Sequence, residues 1–221
     1  MYSDSFQKKK IRCLKRVTPK WFAMKNDIIL SGVGGQGILS IAATIGLAAV
    51  ANDLFLKQSE VHGMSQRGGD VQSHLRFSDK PVSSDLIPYG KADIIISVEP
   101  MESLRYLPWL SKDGWLVTNS NPFINIPDYP EIDKIISEIK KVKNHIIIDA
   151  DSIAKEAGSA RSGNIVILGA ASPFIDMSYE SLENAIKKLF GRKGEAVVEA
   201  NLKALKAGSE FSVKLLDSRK K

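Results

Sequence analysis

The pattern of apolar and polar residues predicts a sheet of buried strands separated by helices. Residues 28–30, 92–98 and 145–149 are short runs rich in Ile, and such continuous apolar runs are typical of strands buried on both faces of a parallel sheet. Two further strands are predicted at residues 54–61 and 114–118.

One predicted strand, residues 71–77, has a different pattern. Its side chains alternate, with Val71, Ser73, Leu75 and Phe77 on one side and Gln72, His74 and Arg76 on the other. Strict alternation predicts a strand with one solvated face, and therefore an antiparallel or edge strand of a mixed sheet.

Helical periodicity separates the strands up to about residue 149 and continues alone after it. The predicted helices are residues 38–51, 100–107, a stripe of Ile from Ile132 to Ile139, a short helix capped by Asp151 and Ser152, residues 164–171, 182–189, and 198 to near Gly208. The pattern predicts an α/β fold: a single three-layer α/β/α domain with a mixed, mostly parallel sheet, a Rossmann-like first βα unit and a helical C-terminal part.

Composition and charge divide the chain into two parts. The net charge of +6 arises within residues 1–23, which contain seven basic residues and one acidic residue, whereas residues 24–221 carry 24 of each. We expect residues 1–23 to be a disordered extension upstream of a natural start at Met24, although a nucleic-acid arm and a targeting peptide are alternatives. The neutral domain over residues 24–221 does not predict binding to nucleic acid or to a membrane.

Four glycines follow the first strand, and three of them satisfy G-x-G-x-x-G. The turn contains Gly32, Gly34, Gly35, Gln36 and Gly37. Glycines between a strand and a helix allow a ligand to approach the N–H groups of the helix N-terminus. Two interpretations stay open, a dinucleotide site for NAD(P) or flavin and a turn that only packs helix against strand. The acidic residue that would bind a ribose is not clear, because Asn52, Asp53 and Glu60 are all weak candidates.

The segment from Glu60 to Asp70 concentrates polar side chains before a pair of glycines. Its candidate active-site or interface residues are Glu60, His62, Gln66 and Arg67, and its candidate ligand-binding residues are Arg67, Gly68 and Gly69. An arginine suits a carboxylate or phosphate, and two glycines allow close approach of a ligand or a second backbone. The alternative is a surface turn with solvated side chains.

Several classes of chemistry lack the residues they need. The only cysteine, Cys13, lies in the N-terminal segment, so the domain cannot supply cysteines for zinc or an iron–sulfur cluster, and three scattered histidines do not predict a metal site. No P-loop and no G-x-S-x-G motif is present. The scarcity of cysteine also fits a cytoplasmic protein.

Four stretches of the sequence resemble one known family. The stretches VGGQGI, SEVHGMSQRGGDVQSHLRFSD, SVEPMESLRYLPWLSKDGWLVTN and NHIIIDADSIA are similar to the small (β) subunit of indolepyruvate:ferredoxin oxidoreductase, the γ-domain module of the 2-oxoacid:ferredoxin oxidoreductases. The resemblance covers about residues 24–211, and residues 1–23 fall outside it.

The resemblance implies an oxidoreductase subunit that is inactive alone. The family oxidatively decarboxylates arylpyruvates and other 2-oxo acids to acyl-CoA and passes the electrons to ferredoxin. Thiamine diphosphate and [4Fe-4S] clusters are then expected on a large α subunit, with CoA as co-substrate and no cofactor held by this chain alone. A homodimer within a heterotetramer would be compatible with such an enzyme. The competing hypotheses are a dinucleotide-binding Rossmann-like module and a purely structural subunit.

Overall fold

A six-stranded mixed sheet forms the centre of the fold. The computed structural model describes residues 24–63 and 68–219, so the N-terminal extension, Gln66 and Arg67 lie outside the described residues. The strands are β1 (Lys25–Val33), β2 (Phe55–His62), β3 (Asp70–Ser78), β4 (Ala92–Ser97), β5 (Leu110–Asn119) and β6 (His145–Ile148), in the order β2-β3-β1-β4-β5-β6. Strands β1, β4, β5 and β6 are mutually parallel, and β3 is antiparallel to both of its neighbours.

Helices cover the two faces of the sheet unequally. They are α1 (Ile38–Ala51), α2 (Pro100–Arg105), α3 (Ile132–Lys140), α4 (Ala150–Glu156), α5 (Gly163–Ala171), α6 (Tyr179–Phe190) and α7 (Glu195–Ser218). One hydrophobic core lies between the sheet and helices α1 and α4–α7, and a smaller one lies beneath α2 and α3. The predicted three-layer architecture is therefore confirmed. No helix among the described residues is both long and apolar enough to cross a bilayer.

The alternating strand β3 is antiparallel, as predicted, but it is not an edge strand and its second face is not fully solvated. His74 is 4% exposed because the loop after β3 folds over it. The Nδ1 atom of His74 accepts a hydrogen bond from the Ile87 N–H at 3.0 Å, and Trp109 packs edge-on against its ring. Burial lowers the pKa of His74, so the ring is neutral at this contact.

A bidentate ion pair fixes β1 and β3 at the end of the sheet remote from the glycines. Arg76 donates from Nε and Nη2 to the carboxylate of Asp27 at 2.6 and 3.1 Å, and Asp27 is 1% exposed. The third guanidinium nitrogen, Nη1, donates to the carbonyl groups of Ser84 and Leu86. Every charged atom in this buried pair is thus hydrogen-bonded, which is the condition under which burial of charge is tolerated.

The last helix is longer than predicted, because Gly208 does not end it. Helix α7 runs on to Ser218, and Gly208 lies where it crosses α5. A Cβ atom at Gly208 would lie 2.0 Å from the Val166 carbonyl oxygen, and one at Gly169 would lie 2.1 Å from that of Leu205. Glycine therefore lets two helix backbones touch here, and its role is packing rather than termination.

Replacement of Gly208 by Ala should destabilise the fold by about 1–3 kcal/mol, since the added methyl group must push two backbones apart. Urea unfolding followed by circular dichroism measures the change. Gly191→Ala is the matched control, because Gly191 has helical backbone angles and a Cβ there meets nothing within 4 Å. Equal stabilities for the two variants would show that α5 and α7 do not pack in this way.

Candidate functional site

The carboxyl ends of the neighbouring strands β1 and β4 lie where the chain changes faces of the sheet, and we call this edge the crevice. Helix α1 leaves β1 toward the larger core, and α2 leaves β4 toward the smaller core on the opposite face of the sheet. In open α/β sheets the connections separate at such a point, and ligands commonly bind outside the strand ends there.

The glycine turn lies at this point, and its glycines have separate roles. Gly32 has to be glycine because a Cβ would lie 2.3 Å from the side chain of Val98, which directly follows β4. Gly37 caps α1 with φ of 82° and offers no side-chain hydrogen bond. Gly35 faces open space. Gln36 turns inward, and its Oε1 accepts a hydrogen bond from the Val33 N–H at 2.8 Å, so its amide stabilises the turn itself.

The glycine pair of the second candidate segment lies against the first glycine turn. The Gly34 N–H donates to the Gly69 carbonyl at 2.9 Å. The side-chain amide of Asn125, on the loop after β5, donates to the Gly68 carbonyl. Two segments predicted to form the site and one loop that was not assigned to it therefore meet at one edge of the sheet.

Glu60 and His62 lie apart from this meeting point. They contact each other on β2, with the Glu60 carboxylate against the His62 Nε2 atom, and β3 separates them from β1. In a dinucleotide-binding fold the strand carrying the ribose-binding acid lies directly beside the first strand. Here β3 lies beside β1 instead, so Glu60 on β2 is one strand further away. Asn52 and Asp53 follow the C-terminus of α1, whereas the glycine turn lies at its N-terminus. The geometry disfavours the dinucleotide hypothesis.

Asparagines and aspartates extend the crevice along the ends of β5 and β6. The Asn121 side-chain amide donates to Asp149 at 2.7 Å and to Asp151 at 3.0 Å, and Asn119 donates to Asp151 at 3.3 Å. Asp149, rather than Asp151, caps α4 by accepting the Ser152 N–H at 3.0 Å, which corrects the predicted cap. These hydrogen bonds hold the pKa of Asp149 below its usual range.

A buried carboxyl group, Glu99, follows β4 at the base of the crevice. Glu99 is fully buried, and it accepts hydrogen bonds from the Glu102 N–H at 2.7 Å, from the Phe123 N–H at 3.4 Å and from the Tyr129 hydroxyl. It therefore joins the first turn of α2 to the loop after β5. Burial raises the pKa of Glu99 in spite of these hydrogen bonds, and burial beside Glu99 also raises the pKa of Tyr129.

Sequence reasoning missed Glu99, Asn125 and Tyr129. A signal for Glu99 was present, because it directly follows a continuous apolar strand, where side chains reach the carboxyl edge of the sheet. Asn125 and Tyr129 lie in a loop with no repeating pattern, so their contacts depend on the tertiary fold alone. Among residues 24–63 and 68–219, no group of three or more His, Cys, Asp or Glu side chains could hold a metal ion.

The fold and crevice define an open, mixed-sheet α/β module with a glycine-lined edge. The family described as pyruvate ferredoxin/flavodoxin oxidoreductase matches residues 27–211 of the chain. Indolepyruvate oxidoreductase subunit IorB of Archaeoglobus fulgidus is 39% identical over 194 residues, which cover 84% of this chain and 94% of that protein. The chain therefore belongs to the pyruvate ferredoxin/flavodoxin oxidoreductase family, and the resemblance of the sequence to that family is confirmed.

Solved structures of the same fold include a separate subunit and part of a longer chain. The γ subunit of a keto/oxoacid ferredoxin oxidoreductase from Geobacter sulfurreducens has a TM-score of 0.62 at 26% identity, over 86% of this chain and 99% of that one. A 2-oxoglutarate:ferredoxin oxidoreductase from Magnetococcus marinus, solved with 2-oxoglutarate, coenzyme A and succinyl-CoA, has a TM-score of 0.67 at 22% identity. The matched region covers 86% of this chain but only 31% of that longer chain. These neighbours are 2-oxoacid oxidoreductases rather than dinucleotide-binding proteins.

Glu99→Gln should change how stability depends on pH. Since the native pKa of Glu99 is raised above its ordinary value of 4.5, the native state holds the proton more tightly than the unfolded state, and the contribution of Glu99 to stability falls as pH rises above 4.5. The variant lacks this proton, so its unfolding free energy should fall less between pH 5 and pH 7.5. Urea titrations at both pH values measure the difference.

Glu138→Gln serves as the control for this experiment, because Glu138 is an exposed carboxylate paired with Lys141 on α3. It should leave the wild-type pH dependence unchanged. A Glu99→Gln protein whose stability falls as steeply as wild type would show that the Glu99 carboxyl is not perturbed by burial.

Proposed function

We propose that this chain is the small subunit of a heteromeric indolepyruvate (arylpyruvate):ferredoxin oxidoreductase. The complete enzyme would decarboxylate a 2-oxo acid oxidatively, form the acyl-CoA and pass electrons to ferredoxin in the cytoplasm. The single observation that carries the proposal is the 39% identity to an indolepyruvate oxidoreductase subunit over 94% of that protein's length.

Thiamine diphosphate and [4Fe-4S] clusters would belong to the large α subunit. One cluster requires four cysteine ligands, whereas this chain contains one cysteine, Cys13. The described residues also offer no group of side chains suited to a metal. The part of the reaction left to this chain is therefore the binding and orientation of reactants or of the partner.

The crevice between β1 and β4 is the surface we assign to that task. Gly35 faces open space, and the first N–H groups of α1 lie beside it with no side chain capping them. These groups suit an anion or a carbonyl oxygen, and CoA, which the Magnetococcus enzyme of this fold binds, is anionic. Arg67 directly precedes Gly68 in the sequence and would add a positive charge to such a site.

The loop after β5 would extend this surface toward the large subunit. It exposes Phe123, Ile124 and Ile126 within four residues, and Asn125 ties it to Gly68. Exposed apolar side chains in one group are typical of surfaces that another protein covers. Glu99 and Tyr129 hold this loop from beneath, so its position is fixed before the partner binds.

Co-expression of the full chain with its large subunit tests the proposed function. We expect a brown complex that reduces viologen when an arylpyruvate and CoA are present, and no activity from either chain alone. In that complex Arg67→Ala should lower kcat/KM by about 10- to 100-fold, the value of a hydrogen bond to a charged group, without loss of assembly.

Arg192→Ala is the matched control, because Arg192 is an exposed arginine in the turn after α6. It should retain wild-type activity. Unchanged assembly and turnover in Arg67→Ala would show that the segment from Glu60 to Asp70 is not part of the site. A colourless chain that does not bind the large subunit but binds NAD(P) or flavin would contradict the proposed role as an oxidoreductase subunit.

A further inference from the structure

The outer edge of the sheet at β2 has a strand partner on one side only. β2 pairs with β3 from Phe55 opposite Ser78 to His62 opposite Val71, and no other strand among the described residues joins it. The opposite edge differs, because β6 has four residues and the Arg219 guanidinium donates to the His145 carbonyl there at 3.0 Å. An uncovered eight-residue edge presents N–H and C=O groups that another strand can pair with.

Two large apolar side chains on β2 are symmetric about its centre. Phe55 and Val61 are 50% and 54% exposed and lie on the same face of the strand, three residues before and three residues after Gln58. If two copies pair antiparallel with Gln58 opposite Gln58, Phe55 of each copy lies opposite Val61 of the other. The contact therefore contains two cross-strand pairs of an aromatic and a β-branched residue, a combination that stabilises sheets.

Neighbouring registers are less favourable. Pairing centred on Lys57 places two lysines opposite each other, and pairing centred on Glu60 does the same with two carboxylates. Pairing centred on Ser59 places Lys57 opposite Val61 and Phe55 opposite Gly63, beyond the end of the strand. The sequence of β2 thus specifies one self-pairing register.

Helix α1 carries a second uncovered apolar surface beside this edge. The helix has no charged residue, and on its side away from the core the exposed Leu39 and Val50 lie in line with the half-buried Ala43 and the buried Gly46. Leu39 and Val50 are 52% and 60% exposed. The stripe borders β2, since a Cβ at Gly46 would lie 3.2 Å from the Leu56 side chain. A helix that is apolar all round is normally covered on every side.

We propose that the outer edge of β2, together with the adjoining stripe of α1, is a contact between two copies of this chain. The copies pair antiparallel at Gln58 about a two-fold axis perpendicular to the sheet, which joins two six-stranded sheets into one. That axis also places both α1 stripes on the same face, beside the seam. A second copy is the partner because the complementary residues, Phe55 and Val61, both belong to β2 itself.

A cysteine at the proposed centre tests the register directly. In a Cys13→Ser background, which removes the only natural cysteine, Gln58→Cys places two thiols on directly opposed residues. Opposed residues in antiparallel strands lie about 4.5–5.5 Å apart at Cα, within the range of a disulfide. Mild oxidation of the full chain, alone and in the complex with the large subunit, should give a covalent dimer. Lys134→Cys, at an exposed position on α3, should form no covalent dimer under the same conditions.

Solution mass provides a second readout that does not depend on the disulfide. The wild-type chain should show twice the mass of one chain by light scattering, and Phe55→Glu combined with Val61→Glu should show the mass of one. Ile124→Glu is the control at an exposed apolar residue of the crevice loop, and it should keep the doubled mass. Circular dichroism melts establish that each variant is folded.

Three results would overturn the proposal, and none of them depends on enzyme activity. The first is a wild-type chain that has the mass of one copy when alone and is present as a single copy in the complex with the large subunit. The second is a doubled mass that survives the Phe55 and Val61 substitutions. The third is cross-linking of Gln58→Cys to the large subunit instead of to a second copy, which would show that the large subunit covers this edge.

Discussion

The antiparallel pairing of β3 with β1 is the constraint on which the rest of the structure depends. Its register runs over nine residues, from Lys25 opposite Ser78 to Val33 opposite Asp70. That register carries the second glycine pair to the first glycine turn, where Gly34 binds Gly69. It also separates β2 from β1. The first βα unit resembles that of a dinucleotide-binding fold, but the strand beside β1 is a different one. One strand placement thus makes this edge differ from that of a dinucleotide-binding fold.

A buried carboxyl group lies at each end of the sheet, and the fold accommodates the two groups in different ways. At one end Asp27 is neutralised by Arg76, and the guanidinium also holds the loop that covers His74. At the crevice end no cation among the described residues pairs with Glu99, which is held by N–H groups and a tyrosine hydroxyl. The first arrangement satisfies a full charge, whereas the second raises a pKa. The uncompensated carboxyl lies beneath the loop that we assign to partner contact.

Local pattern was sufficient to predict the elements themselves. Continuous Ile-rich runs correctly indicated three of the four parallel strands, and the apolar segment after the glycines gave α1 with the bounds observed, Ile38–Ala51. Strand order was not predictable in the same way, because alternation in β3 identifies an antiparallel strand but not its neighbours. The prediction that Gly208 ends the last helix was wrong for a related reason. A glycine that ends a helix and one that lets two helices touch look the same in sequence.

The candidate site was predicted in part. Both glycine segments were identified, and the structure joins them, while Glu60 and His62 prove to lie one strand away. Asn125 and Tyr129 could be assigned only once the strand ends had been placed in space, whereas Glu99 had a sequence signal because it directly follows a buried strand. Polar residues that follow a buried strand therefore merit as much weight as a glycine pattern when a site is sought in sequence.

Hydrogen–deuterium exchange of this chain, alone and bound to its large subunit, is the most direct test of the crevice as its working surface. We expect slower exchange on binding in residues 34–39 and 119–126, with little change in α6 and α7. Protection confined to α6 and α7, with both crevice segments exchanging as in the free chain, would contradict it.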